Sequence, residues 1–171
     1  MPKKGKFINK NNHFIETGSL FGDGIQIAIE SGFEKITSFE IDKSLYDHCV
    51  NRYKDYPNVE IILGDSAIEL SNFLDKNKNT SFTYWLDGHY SGGITGCGIK
   101  EYPIMEELKA ILERNVKNEV IYIDDLRLLR SFNDEINLIK IKNMCLLYKP
   151  EYKISFESSD YDLEDILIVE Y

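Results

Sequence analysis

Hydrophobic and polar positions follow two different periods along the chain. Five short runs are rich in β-branched and aromatic residues, and each ends in acidic residues or glycine, as buried parallel strands do where they enter loops. These predicted strands are 13–18, 36–42, 59–65, 82–88 and 119–125. Segments with helical spacing of apolar residues lie between them. These predicted helices are 23–31, 44–54, 66–75 and 103–115.

The ends of the predicted helices carry the residues expected there. Ser44 is a candidate N-cap, Asp65 or Ser66 opens the third helix, and Pro103 suits a first helical turn. After the fifth strand, a longer helix is predicted to begin at Asn133 or Asp134. The chain closes with two strand-like runs, 152–159 and 165–171, joined by an acidic turn with no room for a helix.

This order of elements predicts the fold class. Five β/α units followed by a hairpin indicate an α/β, Rossmann-like sheet of seven strands, mostly parallel, with the last strand antiparallel and helices on both faces. A chain of 171 residues accommodates this as one domain over 1–171, with 1–12 as a flexible tail.

Composition and charge narrow the range of partners. The net charge of −9 argues against binding long nucleic acids, which needs a stripe of Lys and Arg. No apolar run approaches the roughly 20 residues that cross a bilayer, so no membrane partner is expected. The three cysteines are scattered without zinc-site spacing, which favours reduced thiols and a cytoplasmic location. A small neutral or carbohydrate substrate fits this balance best.

Each of the five predicted parallel strands ends in a carboxylate. These residues are Glu16, Glu40 or Asp42, Asp65, Asp87, and Asp124 with Asp125. In open α/β sheets, ligands bind outside the carboxyl ends of the strands, so these side chains should share one rim. Any single one of them could instead cap a helix. An acidic rim repels pyrophosphate but suits a ligand with hydroxyls and a positive centre, such as S-adenosylmethionine.

The first strand leads into a glycine turn with the pattern Glu16-x-Gly18-x-x-x-Gly22, and the third ends in Gly-Asp-Ser. With the acidic end of the second strand, this resembles the class I S-adenosylmethionine-dependent methyltransferases over essentially the whole chain. The resemblance implies that the turn contacts the methionine part of the cofactor, that Glu40 accepts the ribose hydroxyls and that Asp65 meets the adenine edge. The full implied set is Glu16, Thr17, Gly18, Ser19, Gly22, Glu40, Ile41, Asp65, Ser66 and Asp87.

A narrower resemblance lies in "YWLDGHYSGG" and "VIYIDDLR". These stretches look like sugar O-methyltransferases of the macrolide-sugar and cephalosporin-tailoring group, and like compact proteins of large DNA viruses and phages, which would place the chain in a host cytoplasm. The resemblance implies that Asp87, Asp124 and Asp125 hold Mg²⁺ or Mn²⁺ and that His89 is the catalytic base beside Asp87. Asp87 and His89 stand one residue closer together here than in that group.

The chemistry of these residue types supports that assignment. A cation held by carboxylates would lower the pKa of a sugar hydroxyl, and a neutral imidazole could take its proton. The alternatives are that Asp124 caps the next turn and that Asp125 pairs with Arg127 or Arg130. The glycine-rich segment 90–102 is a candidate lid or an ordinary long loop.

Three functional readings follow from the sequence. The first is an S-adenosylmethionine-dependent O-methyltransferase acting on a sugar, free or glycan-linked. The second is a metal-independent methyltransferase for another small molecule, and the third is a non-catalytic binding subunit with the same fold. A homo-oligomer could complete the acceptor pocket, because the chain has no separate cap domain.

Overall fold

Seven strands form a single sheet in the computed structural model, which describes residues 7, 11–89, 96, 98–99, 102–114, 116–131 and 137–170. The strands are β1 (His13–Thr17), β2 (Lys35–Glu40), β3 (Val59–Leu63), β4 (Thr83–Leu86), β5 (Val120–Ile123), β6 (Lys153–Glu157) and β7 (Ile166–Glu170). Their spatial order is β3-β2-β1-β4-β5-β7-β6. Every neighbouring pair is parallel except those that involve β7, which runs antiparallel to β5 and β6. The predicted fold class is confirmed.

In the described part of the chain, six helices connect and cover the strands. They are α1 (Asp23–Glu30), α2 (Lys43–Arg52), α3 (Ser66–Lys76), α4 (Ile104–Leu112), α5 (Leu126–Ser131) and α6 (Leu138–Tyr148). The sequence predicted one helix after the fifth strand, whereas the structure has α5 and α6. The residues between these two helices, 132–136, lie outside the described part of the chain and include both predicted start positions.

Two helix caps differ from the sequence prediction. Asp42, and not Ser44, caps α2, because its side chain accepts from the backbone N–H groups of Ser44 and Leu45. At α5, the buried Asp165 accepts from the backbone N–H of Arg127, so the capping role considered for Asp124 belongs to a residue far along the chain.

Alternation along the strands divides the core between the two faces of the sheet. In β5, Ile121 and Ile123 belong to the cluster that includes residues of α3, α4 and α6, while Val120 and Tyr122 belong to the cluster beneath α1. Trp85 is buried in the second cluster and stacks on Tyr122.

Part of the predicted flexible tail is fixed in the fold. Phe7 makes edge-on contacts with four core aromatic rings at centroid distances of 5.2–6.3 Å, including Phe14 and Trp85. The Asn11 side chain donates to the carbonyl oxygens of Phe82 and Asn118. The other residues up to 10 lie outside the described part of the chain. None of the described helices is long and apolar enough to cross a bilayer.

Candidate active site

The order of strands reverses between β1 and β4. Several carboxylates and His89 lie together at the carboxyl ends of these strands and their neighbours. This is the position where open α/β sheets bind ligands. A cavity of about 200 Å³ lies there, bounded by the loops after β1, β2, β3, β4 and β5. Its lining comprises Gly18, Leu20, Phe39, Glu40, Ile41, Leu45, Gly64, Asp65, Ser66, Asp87, Gly88, His89, Gly96, Gly98, Pro103 and Asp125. Among these residues there are four carboxylates, one histidine and neither Lys nor Arg.

Gly18 brings the β1 turn close to the β4 turn. It adopts a left-handed backbone conformation with φ of 83°, and a Cβ there would lie 2.7 Å from the carbonyl oxygen of Asp87. Only glycine combines this torsion with so close an approach. The backbone of the loop after β1 therefore packs directly against the backbone of the loop after β4, at the edge of the cavity.

Glu40 and Asp65 face the cavity and already hold backbone groups. Glu40 accepts from the N–H groups of Leu20 and Asp42 at 2.8 and 2.9 Å, which fixes the loops after β1 and β2. Asp65 accepts from Ala67 at the start of α3 and from Ile99 of the 90–102 segment. A carboxylate has about four lone-pair sites, so each retains acceptor capacity for a ligand.

Four predicted cofactor-binding residues do not line the described cavity. They are Glu16, Thr17, Ser19 and Gly22. Glu16 is buried beneath α1, where it accepts from the Ser38 hydroxyl at 2.6 Å. The Ser19 and Ser38 hydroxyls are hydrogen-bonded at 2.6 Å, and the Thr17 hydroxyl accepts from the N–H of Asp87. Gly22 caps α1 and receives the Tyr53 hydroxyl on its carbonyl oxygen. Sequence reasoning had no means to separate these positions from those at the cavity.

His89 lies between two of the predicted carboxylates. Its Nδ1 is 3.3 Å from Asp87 and its Nε2 is 3.3 Å from Asp125. Burial of the imidazole opposes its charge, but the hydrogen bond to Asp87 and the charges of Asp87, Asp125 and Asp124 prevail and raise the pKa of His89. Its ring stacks on that of Tyr102, with 4° between the planes. The two carboxylates and the Tyr102 ring therefore fix the orientation of the His89 imidazole.

The backbone of Asp125 is left-handed, with φ of 59°, which is uncommon for a residue other than glycine. Its carboxylate contacts His89 through one oxygen and Arg127 through the other, at 2.6 Å. Burial, followed by the charge of Asp87, raises the pKa of Asp125, and the same two causes raise the pKa of Asp124 to about 6.

The predicted metal ligands divide between two groups. Asp87, His89 and Asp125 place one ligand atom each within 4.8 Å of one another, and Asp124, Asp125 and Asp165 form the second such group. Asp124 uses one oxygen to accept the N–H of Asp125. Asp165 and Asp125 both pair with Arg127. The chain therefore presents an imidazole and a guanidinium to these carboxylates, and the three predicted ligands do not gather as one set.

Residues of the predicted lid belong to the site, and one further residue, Glu107, was not identified from the sequence. Gly96 and Gly98 line the cavity, a Cβ at Gly98 would lie 2.4 Å from an oxygen of Asp65, and the exposed Ile99 donates its N–H to Asp65. Of the predicted lid, 90–102, these residues and Tyr102 are the described ones, and Tyr90 and Cys97 lie outside them. Glu107 of α4 is buried beside the site. It is the one charged residue on the buried face of that helix.

Comparisons with solved structures identify the fold. An O-methyltransferase from Bacillus cereus in complex with SAH superposes with a TM-score of 0.67 at 13% identity, covering 94% of this chain and 74% of the other. A TehB-like SAM-dependent methyltransferase from Corynebacterium glutamicum gives 0.54 at 14% identity, covering 99% and 82%. The methyltransferase domain of bacterial CtHen1 gives 0.55 at 12% identity, covering 94% and 89%.

This is the fold of the S-adenosylmethionine-dependent methyltransferases. No protein-family model and no curated protein sequence matches the chain. At these identities the likeness concerns the fold, and the activity has to be argued from the site.

Proposed function

We propose that the protein is an S-adenosylmethionine-dependent O-methyltransferase that acts on a hydroxyl of a sugar, free or glycan-linked. The observation that carries this proposal is His89, held between Asp87 and Asp125 at the edge of an acidic cavity on the reversal point of the sheet. A base oriented by carboxylates beside a cofactor cavity is what transfer to a hydroxyl requires.

The chemistry of the large cavity fits the cofactor that the fold implies. S-adenosylmethionine, when bound, supplies the methyl group. Glu40 and Asp65 have acceptor sites left for hydroxyl and amino groups, and Ile41 and Leu45 add apolar contacts. With four carboxylates and no Lys or Arg among the described lining residues, the cavity favours a cation and disfavours a pyrophosphate. The same argument weighs against a nicotinamide dinucleotide.

His89 would take the proton of the acceptor hydroxyl. Its two contacts of 3.3 Å are longer than a strong N–H···O bond, so a hydroxyl can approach one ring nitrogen while the carboxylate on the other keeps the ring oriented. A base must be neutral to accept a proton. Because the pKa of His89 is raised, the proposed activity increases with pH through its titration.

The predicted Mg²⁺ or Mn²⁺ does not fit the arrangement well. The gathered set is Asp87, His89 and Asp125, in which the imidazole would be a ligand and no longer a base. Mg²⁺ prefers oxygen ligands, and two of the carboxylates already pair with Arg127. We therefore propose that Arg127 balances the charge of Asp125 and Asp165, and we assign no step to a metal.

The proposal is tested by transfer of an isotopically labelled methyl group. The protein is incubated with ¹³C-methyl-labelled S-adenosylmethionine and a panel of free sugars, nucleotide-linked sugars and glycopeptides, and methyl ethers are detected by NMR. We expect one class of sugar to be labelled by the wild type and not by His89→Ala. Labelling of a non-sugar acceptor alone would contradict the proposed substrate. Binding of S-adenosylhomocysteine with no labelled product would favour the non-catalytic alternative.

A further inference from the structure

A second, smaller cavity adjoins the first at the end of β4. Its volume is about 30 Å³, and it shares Asp87, Gly88, His89, Pro103 and Asp125 with the large cavity. The rest of its wall is mostly apolar and comes from β4, β5, α4 and α5. These remaining residues are Leu86, Tyr102, Ile104, Glu107, Ile123, Asp124, Leu128 and Leu129.

Glu107 is the polar group on the α4 side of this cavity. The residue is 1% exposed, and its Oε1 has no hydrogen-bond partner among the described residues. That oxygen lies against Gly88, where a Cβ would be 3.0 Å away. Burial raises the pKa of Glu107 to about 7, although the neighbouring Ser66 and Thr17 hydroxyls favour its charged form.

A buried polar atom without a partner is costly, at about 1–3 kcal/mol, and native structures contain few of them. Glu107 sits on the otherwise apolar face of α4 with Ile104, Leu108 and Ile111, where an apolar residue would pack without that cost. Its position is therefore better explained by a ligand group than by packing.

The size of the cavity limits what that group is. A water-sized group needs roughly 10–15 Å³ of such space, so the cavity holds two or three of them and no sugar ring. A hydroxyl both donates and accepts, which matches a carboxyl group in either protonation state. An ammonium group would have to leave water for a mainly apolar wall, which is unfavourable.

We propose that Glu107 determines acceptor specificity by binding a second hydroxyl of the acceptor, next to the hydroxyl that meets His89. Both residues line the 30 Å³ cavity, and this small volume fits two hydroxyls carried by neighbouring carbons. The acceptor is thus a vicinal diol that inserts one hydroxyl beneath Gly88. This inference rests on the proposed sugar methyltransferase function.

The test compares the labelled sugar from the panel with its deoxy analogue that lacks the neighbouring hydroxyl. For the wild type we expect kcat/KM to fall about 10–100-fold on loss of that hydroxyl, as for one buried hydrogen bond. In Glu107→Ala the sugar and its analogue should become equivalent within about threefold, and Glu107→Gln should keep part of the discrimination. Glu113→Gln, at the exposed end of the same helix, is the control and should discriminate like the wild type.

A second readout separates recognition from damage to the fold. Calorimetry with S-adenosylhomocysteine should give the same dissociation constant for the wild type and Glu107→Ala, while the sugar binds the cofactor-loaded variant about 10–100-fold more weakly. An unchanged preference for the sugar over its analogue in Glu107→Ala would overturn the inference, and Glu107 would then hold only an ordered water. If the wild type labels no sugar, the proposed function fails and the inference with it.

Discussion

The carboxylates at the ends of β1 and β2 differ from those after β4 and β5 in what they contact. Glu16 and Glu40 bind groups of the protein itself, namely the Ser38 hydroxyl and the N–H groups of Leu20 and Asp42. Asp87 and Asp125 hold a titratable ring at the edge of two cavities. The same sequence feature, an acidic residue at a strand end, therefore holds backbone and hydroxyl groups on one side of the reversal point and a histidine ring on the other.

The largest effect on activity is expected from a change at His89, which lies after β4. Replacing His89 with Ala removes the proposed base, and we expect the turnover rate to fall about 10²–10⁴-fold, the usual contribution of general-base catalysis. The rate of labelled methyl transfer to the sugar measures this. His48→Ala, at an exposed position of α2, is the matched control and should leave the rate unchanged. An equal fall of the transfer rate in both variants would contradict the role of His89 as the base.

Glu16, at the end of β1, should affect the free energy of unfolding and the dependence of that free energy on pH. Burial raises the pKa of Glu16 from 4.5 to about 8, against the hydrogen bond from Ser38. The folded state thus holds a proton that the unfolded chain has lost, and stability is full below pH 4.5 and declines as pH rises towards 8. The decline from this group amounts to at most about 4–5 kcal/mol.

Glu16→Gln is neutral at every pH and should flatten that decline. The measurement is the free energy of unfolding in urea at pH 5, 6.5 and 8, for the wild type and the variant. We expect the variant to gain relative to the wild type as pH rises. Parallel curves for the two proteins would show that Glu16 is ionised in the fold.

Gly24 of α1 lies directly against the side chain of Glu16. A Cβ at Gly24 would lie 1.7 Å from an oxygen of Glu16, so Gly24→Ala overpacks a buried contact and should cost about 1–3 kcal/mol. The double change with Glu16→Ala makes room, and its cost should be less than the sum of the two single changes. Gln26→Ala on the same helix is the control, expected within about 0.5 kcal/mol of the wild type. Additive costs would contradict the contact.

The smallest effect is expected from divalent cations. Because Arg127 already pairs with Asp125 and the His89 ring lies between Asp87 and Asp125, chelation of Mg²⁺ and Mn²⁺ should change the methyl-transfer rate by less than about twofold. Complete loss with a chelator, restored by Mg²⁺ and not by monovalent salt at equal ionic strength, would return these carboxylates to the role of metal ligands.

The sequence predicted the sheet well because its signals are local. Strand composition, glycine turns and the terminal hairpin each lie within a few residues, and the direction of β7 followed from the short connection before it. Asp165 was not foreseen as the partner of α5, because it lies 38 residues from Arg127 and meets it only through the pairing of β5 with β7.

The sequence predicted which types of residue form the site better than it predicted their contacts. Strand-end carboxylates were found, but periodicity does not tell which side chain points under a helix, as Glu16 does, and which faces a cavity, as Asp87 does. Glu107 had a usable signal, since a charged residue between Ile104 and Leu108 interrupts the apolar face of α4.

The central claim is that the acidic rim binds S-adenosylmethionine, and thermal unfolding with S-adenosylhomocysteine or NAD⁺ tests it most directly. A ligand at 100 times its dissociation constant adds about 2.7 kcal/mol of stability, or roughly 5–10 °C in Tm for a domain of this size. We predict that rise with S-adenosylhomocysteine and none with NAD⁺. An unchanged Tm with saturating S-adenosylhomocysteine, or a rise with NAD⁺ alone, would contradict the account.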